Sequence, residues 1–169
     1  MSIENIIIFI DNSNLFHSFQ SLNFHCDYSK LKTVITKNRN LIEANIYAGL
    51  MYPVREKEKA WFNSLYQMGY TINTRAIKVA PNGKKIEKRI DVLMAVDIIS
   101  TAYEKTIDTI IIVSGDSDFV PVVKKLTKLN KNVELWSFKK LLSRQLCEIL
   151  KPEQIFYIDD YLDKIKLVE

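Results

Sequence analysis

Two stretches of the chain, Ile6 to Ile10 and Ile110 to Val113, carry apolar side chains at every position, with no alternation. That is the pattern of central parallel strands covered on both faces. Ala44 to Leu50, Tyr70 to Val79, Val133 to Phe138 and Ile155 to Ile158 read as further strands. Between them the apolar spacing changes to that of helices. Leu15, Phe16 and Phe19 open one, Lys30 to Asn38 forms a short basic one, and Val54 to Met68 sets Ala60, Trp61, Leu65 and Met68 against Arg55, Lys57 and Lys59 before Gly69 closes it. Pro81, Asn82 and Gly83 predict a turn, and Val92 to Tyr103 a buried helix. Phe119, Val122, Val123, Leu126 and Leu129 mark a clean helical face with Pro121 in its first turn, Leu141 to Leu150 a further helix, and Tyr161 to Leu167 a terminal one. Strands alternating with helices predict an α/β domain built on a parallel, doubly covered sheet.

Composition narrows the picture. With 169 residues, 47% of them hydrophobic, one compact domain needs no disulfide or metal to fold. Cys26 and Cys147 lie in no metal-binding or redox spacing, so two reduced thiols in a cytoplasmic protein are expected. The run Ile6 to Ile10 is too short for a leader, and no stretch is long enough to span a membrane. The net charge of +4 permits a phosphate-bearing partner without requiring one. Protein partners cannot be read from it, and a homo-oligomer is compatible with it.

The chemistry sits where the strands end. The first strand runs into Asp11, Asn12, Ser13 and Asn14, and the Ile110 strand into Ser114, Gly115, Asp116, Ser117 and Asp118. Open α/β sheets place their ligands at that edge. Each acid taken singly is explained as a helix cap. If the two strands are neighbours, Asp11, Asp116 and Asp118, with Asp91 from the start of the Val92 helix, reach one crevice. So many negative charges there make physical sense around a divalent cation. Hard oxygen ligands without His or Cys favour Mg2+ or Mn2+ over Zn2+, and phosphodiester hydrolysis follows as the leading reaction class. Asn14 is placed to hold a carboxylate or a phosphate. Asp97, in an apolar helix, needs a partner. Lys84, Lys85, Lys88 and Arg89 form either a solvated hairpin or a phosphate rail. Nucleotide-binding glycine loops and serine-hydrolase elbows are missing, and His17 and His25 have no metal-pair spacing.

FIDNSNLF, KRIDVLMAVDI and IIIVSGDSDFVPVVKKL, in that order and spacing from about residue 6 to 138, resemble the NYN domain, the group that includes the LabA-like proteins within the PIN-like nuclease superfamily. The resemblance implies a three-layer α/β/α sandwich and a metal-dependent ribonuclease. It makes Asp11, Asp91 and Asp116 the metal-binding acids with Asp118 beside them, and Asn14, Ser114, Lys88 and Asp97 further motif positions. Asn12 stands where many relatives have Gly, and Arg89 and Ile90 replace a small residue and Val; neither change removes an acid. Residues 139 to 169 lie beyond the motifs as a C-terminal helical extension, whose Lys139, Lys140 and Arg144 are either phosphate contacts or an exposed edge. Two rival readings use the same acids: an RNA-binding module without catalysis, and a small-molecule phosphatase.

Overall fold

A computed structural model describes residues 3–86 and 89–168, with the backbone alone at Lys85 and Ile86. In chain order its elements are β1 (Asn5–Asp11), α1 (Asn12–Ser21), α2 (Tyr28–Thr36), β2 (Asn40–Leu50), α3 (Glu56–Gln67) and β3 (Thr71–Ala76). They continue with β4 (Lys78–Val79), β5 (Lys85–Ile86), α4 (Ile90–Glu104), β6 (Thr109–Val113) and α5 (Val120–Lys128). The last are β7 (Asn132–Ser137), α6 (Arg144–Ile149), β8 (Ile155–Tyr157) and α7 (Leu162–Ile165).

Six strands pair in the order β3-β2-β1-β6-β7-β8, every pairing parallel. The apolar runs explain the two central places: Ile6, Ile7, Ile8, Ile10 and Ile110 to Val113 are wholly buried. Alternation along them fills two cores. Ile6, Ile8 and Ile10 pack with Leu15 and Phe19 of α1, Leu31 and Ile35 of α2, and Leu65 of α3. Ile7 and Phe9 pack on the opposite face with Met94 and Ile98 of α4, Val122, Val123 and Leu126 of α5, and Leu146 of α6. The result is the three-layer sandwich. Among the described residues no helix is long and apolar enough to cross a membrane.

Three expectations change. The Tyr70 to Val79 strand stops at Ala76, and Lys78–Val79 turns away to pair antiparallel with Lys85–Ile86 across the Pro81-Asn82-Gly83 turn. β2 starts at Asn40, four residues before Ala44, because its first half pairs with β1 at the sheet's N-terminal end and is only partly buried there. The helix expected from Leu141 begins at Arg144, capped by the Ser143 hydroxyl. The short strand expected at Ile155 to Ile158 forms as β8, an edge strand beside β7. A largely buried ion pair braces the far end of the sheet: Arg39 grips Glu134 through two nitrogens, at 2.7 and 3.1 Å, and Trp136 Nε1 donates to the same carboxylate at 2.6 Å.

Candidate active site

The strand order reverses between β1 and β6, whose chain-successive neighbours lie on opposite sides. At such a switch point the connecting helices leave on opposite faces and a crevice opens at the strands' C-terminal ends. Asp11 is the last residue of β1, and Ser114 follows β6 directly.

Asp11 is 3% exposed, and its carboxylate is held on both oxygens. The Ser114 hydroxyl donates to Oδ2 at 2.8 Å, while the Ser13 hydroxyl at 2.9 Å and the Asn14 N–H at 3.2 Å donate to Oδ1. Asp11 is therefore the N-cap of α1 and also a buried acid bridging two strands. Burial pushes its carboxyl above the usual range. The bonds from Ser114, Asn14 and Ser13 oppose that shift, and the neighbouring Asp116 charge adds to it.

The second loop is tied to the first. Asn14 Oδ1 accepts from the Gly115 N–H at 3.1 Å, the Asp116 N–H donates to Ser114 Oγ at 3.2 Å, and the Asp118 N–H donates to Asp116 Oδ1 at 2.9 Å. Asp116, not Asp118, caps the short 3-10 turn Ser117–Phe119 that leads into α5. Gly115 is obligatory for packing. A Cβ there would lie 2.4 Å from Ser137 Oγ and 2.5 Å from the Leu141 carbonyl oxygen. The segment after β7 closes over the loop and is pinned by the Ser143 N–H donating to the Gly115 carbonyl at 2.9 Å.

The expected residues divide accordingly. Asp11, Asn14, Ser114 and Asp116 form one connected network, with Asp116 half-buried at its mouth. Asp118 is exposed, one step outward. Asp91 is half-buried in the first turn of α4, the helix on the face that Ile7 and Phe9 address. Among the described residues, no three His, Cys, Asp or Glu side chains converge as a ready ligand cluster. Lys84 and Arg89 are exposed on either side of the β5 end, the Lys85 side chain is outside the described residues, and Lys88 lies outside them entirely. Asp97 has its partner: the Tyr47 hydroxyl donates to its Oδ2 at 2.8 Å, and burial together with that carboxylate pushes the phenol well above its usual range. Tyr47 stands beside Asp11 in the β1–β2 register. Sequence reasoning passed over it, although an acid in an apolar helix was the signal to search for a buried hydroxyl. Lys139 and Arg144 are engaged with Asp160 and Glu148 on the surface. Phe16 and Tyr52 are 52% and 69% exposed.

The donor set fits a hard divalent cation. Asp11 receives only neutral donors among the described residues and feels the Asp116 charge, so these two acids have hard oxygen donors without a cation bonded to Asp11.

An NYN domain family model matches residues 5–156 of the chain. The "Low amplitude and bright protein LabA" of Synechococcus elongatus is 25% identical over 148 residues, 83% of this chain and 77% of that one. A solved structure of a protein of unknown function from Vibrio parahaemolyticus superposes with a TM-score of 0.79 at 23% identity, covering 98% of this chain and 97% of that chain.

Proposed function

Because the chain belongs to the NYN domain family of PIN-like nucleases, we propose that it is a Mg2+- or Mn2+-dependent ribonuclease working at the β1–β6 switch point. The observation that carries the reading is the buried Asp11 carboxylate, held among the described residues by hydroxyl and amide donors alone and close enough to Asp116 to feel its charge. Asp11 and Asp116 would hold the ion, with Asp91 and Asp118 approaching from the flanks. When bound, such an ion activates water and neutralises the charge growing on a phosphate under in-line attack.

The chain's own residues do the positioning. Ser114 fixes Asp11 Oδ2 and takes the Asp116 N–H, so the two acids keep one spacing. Asn14 locks the second loop to α1 through the Gly115 N–H. Asp97 and Tyr47 anchor α4 to β2 and so set where Asp91 stands. Lys84, Lys85, Lys88 and Arg89, in the run before α4, would track the RNA backbone. Phe16 and Tyr52, exposed near the strand ends, offer faces for bases.

The test is incubation of purified protein with an end-labelled mixed-sequence RNA and, separately, a labelled mononucleotide, each with Mn2+, Mg2+ or EDTA. RNA products that need the metal and an untouched mononucleotide are expected. Loss of phosphate from the mononucleotide with intact RNA would give the site to small molecules. RNA retained on the protein but uncut under every metal would make it a binding module.

A further inference from the structure

The outer faces of the helices differ in how they carry charge. On α3 Arg55 pairs with Glu58 and Lys59 with Glu56, and on α6 Arg144 pairs with Glu148, the mixed-sign pattern of a face turned to water. α5 breaks that pattern. Pro121, Lys124, Lys125 and Lys128 are exposed and fall within a sector of about 100° of the helix, away from the buried Val122, Val123 and Leu126. No acid occurs from Phe119 to Val133. Lys125 lies over the Tyr103 ring at 5.7 Å, while Lys124 and Lys128 make no ion pair or side-chain hydrogen bond among the described residues. The helix dipole accounts for cations in the last turn, where Lys125 and Lys128 stand, but not for Lys124 or for the missing acids.

The position of α5 says what this charge meets. The helix leaves the site itself, because Asp116 caps the short turn that runs straight into it. Lys124 and Lys128 follow Val120 by about 6 and 12 Å along the axis. α5 packs against β7, on one side of the β1–β6 crevice, whereas the run that holds Lys84 follows β3, on the other side in the strand order. The acids thus lie between two basic surfaces. We propose that the outer face of α5 is a second track for the RNA backbone, where Lys124 and Lys128 neutralise phosphates on the β7 side of the cut. This rests on the ribonuclease reading and adds that the substrate is a strand long enough to extend on both sides of the crevice. Lysines act on phosphates as point charges and read no base edge, so the track selects for length and not for sequence.

The experiment compares the full chain as wild type, Lys124→Ala/Lys128→Ala and Lys57→Ala/Lys59→Ala, the last removing the same charge from exposed positions of α3 in the opposite layer. Binding of an end-labelled RNA of about 20 nucleotides is followed by fluorescence anisotropy in EDTA over roughly 50 to 200 mM KCl. Cleavage of the same RNA and of a trinucleotide is followed in Mn2+. The α5 pair should weaken binding about 10-fold and make the slope of log affinity against log salt shallower by about 1.4, the share of two phosphate contacts on a single strand. The α3 pair should change neither. With the α5 pair, the half-saturating concentration of the long RNA should rise at an unchanged maximal rate, and the trinucleotide should be cut as by wild type. An α5 pair with wild-type affinity and slope, or one that loses as much on the trinucleotide, overturns the track, while cleavage by wild type in Mn2+ leaves the ribonuclease reading standing. A wild type that cuts nothing, yet loses RNA affinity through the α5 pair alone, would sink the ribonuclease reading and keep the track.

Discussion

Replacing Gly115 by Ala adds one methyl group at the most crowded point of the site. Its backbone is not in the left-handed region, so the whole cost is contact: the new carbon would meet Ser137 Oγ at 2.4 Å, the Leu141 carbonyl oxygen at 2.5 Å and its carbon at 2.8 Å. The serine hydroxyl can rotate away. The carbonyl is backbone, in a segment held by the Leu141 and Leu142 N–H groups donating to the Phe138 carbonyl and by the Ser143 N–H donating to Gly115 itself. Reaching even 3.0 Å demands that this strap retreat, against the bonds that hold it. Overpacking of a well-fitted site costs about 1–3 kcal/mol, and a backbone clash belongs at the upper end. For a chain of this length that is a fall in melting temperature of roughly 6–12 °C. Ser114 and Asp116 flank the displaced residue, so a shift approaching 1 Å should also lower RNA cleavage on the order of 100-fold. Differential scanning fluorimetry and single-turnover cleavage read the two effects. Gly83→Ala is the control: its φ is +78° with nothing within 4 Å, so only left-handed strain of about 1 kcal/mol applies. A Gly115→Ala variant melting no lower than Gly83→Ala would refute the account of the strap.

Three further outcomes follow from the same contacts. Asp11 titrates above its ordinary 3.8, so its protonated form favours the fold; that contribution is complete below about pH 3.8 and is lost as pH rises through the raised value. Asp11→Asn should therefore be more stable than wild type in EDTA at neutral pH, with the Ser114 hydroxyl turning to accept, and urea midpoints should converge on acidification. Arg39→Ala leaves the buried Glu134 without its main cation, a loss of about 3–5 kcal/mol that a urea titration would detect as an earlier midpoint. Burial pushes the Cys26 thiol to about 12, while Cys147 is exposed, so iodoacetamide followed by mass spectrometry should find Cys147 modified first.

Much of the fold was legible because burial on both faces writes itself as unbroken apolar runs: Ile6 to Ile10 and Ile110 to Val113 could only be central strands. The acids were legible because they end those runs. Contacts between distant residues were not. Tyr47 and Asp97 are 50 positions apart, and Tyr28, whose hydroxyl donates to Asn12 Oδ1 at 2.8 Å, is 16 from its partner. Leu141 and Leu142 misled for a physical reason. Their apolar spacing matches a helix, yet the backbone there is spent on covering Gly115, and helix formation waits for the Ser143 cap. Nor did the sequence show that the Asn14 side-chain oxygen accepts from the Gly115 N–H, 101 positions on.

The most direct test of a metal-assisted carboxylate pair is single-turnover cleavage of end-labelled RNA by wild type and Asp116→Asn, in Mn2+ and in EDTA. Asp116 is half-buried at the mouth of the network and accepts only the Asp118 N–H among the described side-chain bonds, so the amide should fold like the acid. The account predicts cleavage by wild type in Mn2+ alone, and a rate for Asp116→Asn lower by at least about 100-fold at an unchanged melting temperature. Equal rates for the two proteins, or cleavage that persists in EDTA, would contradict it.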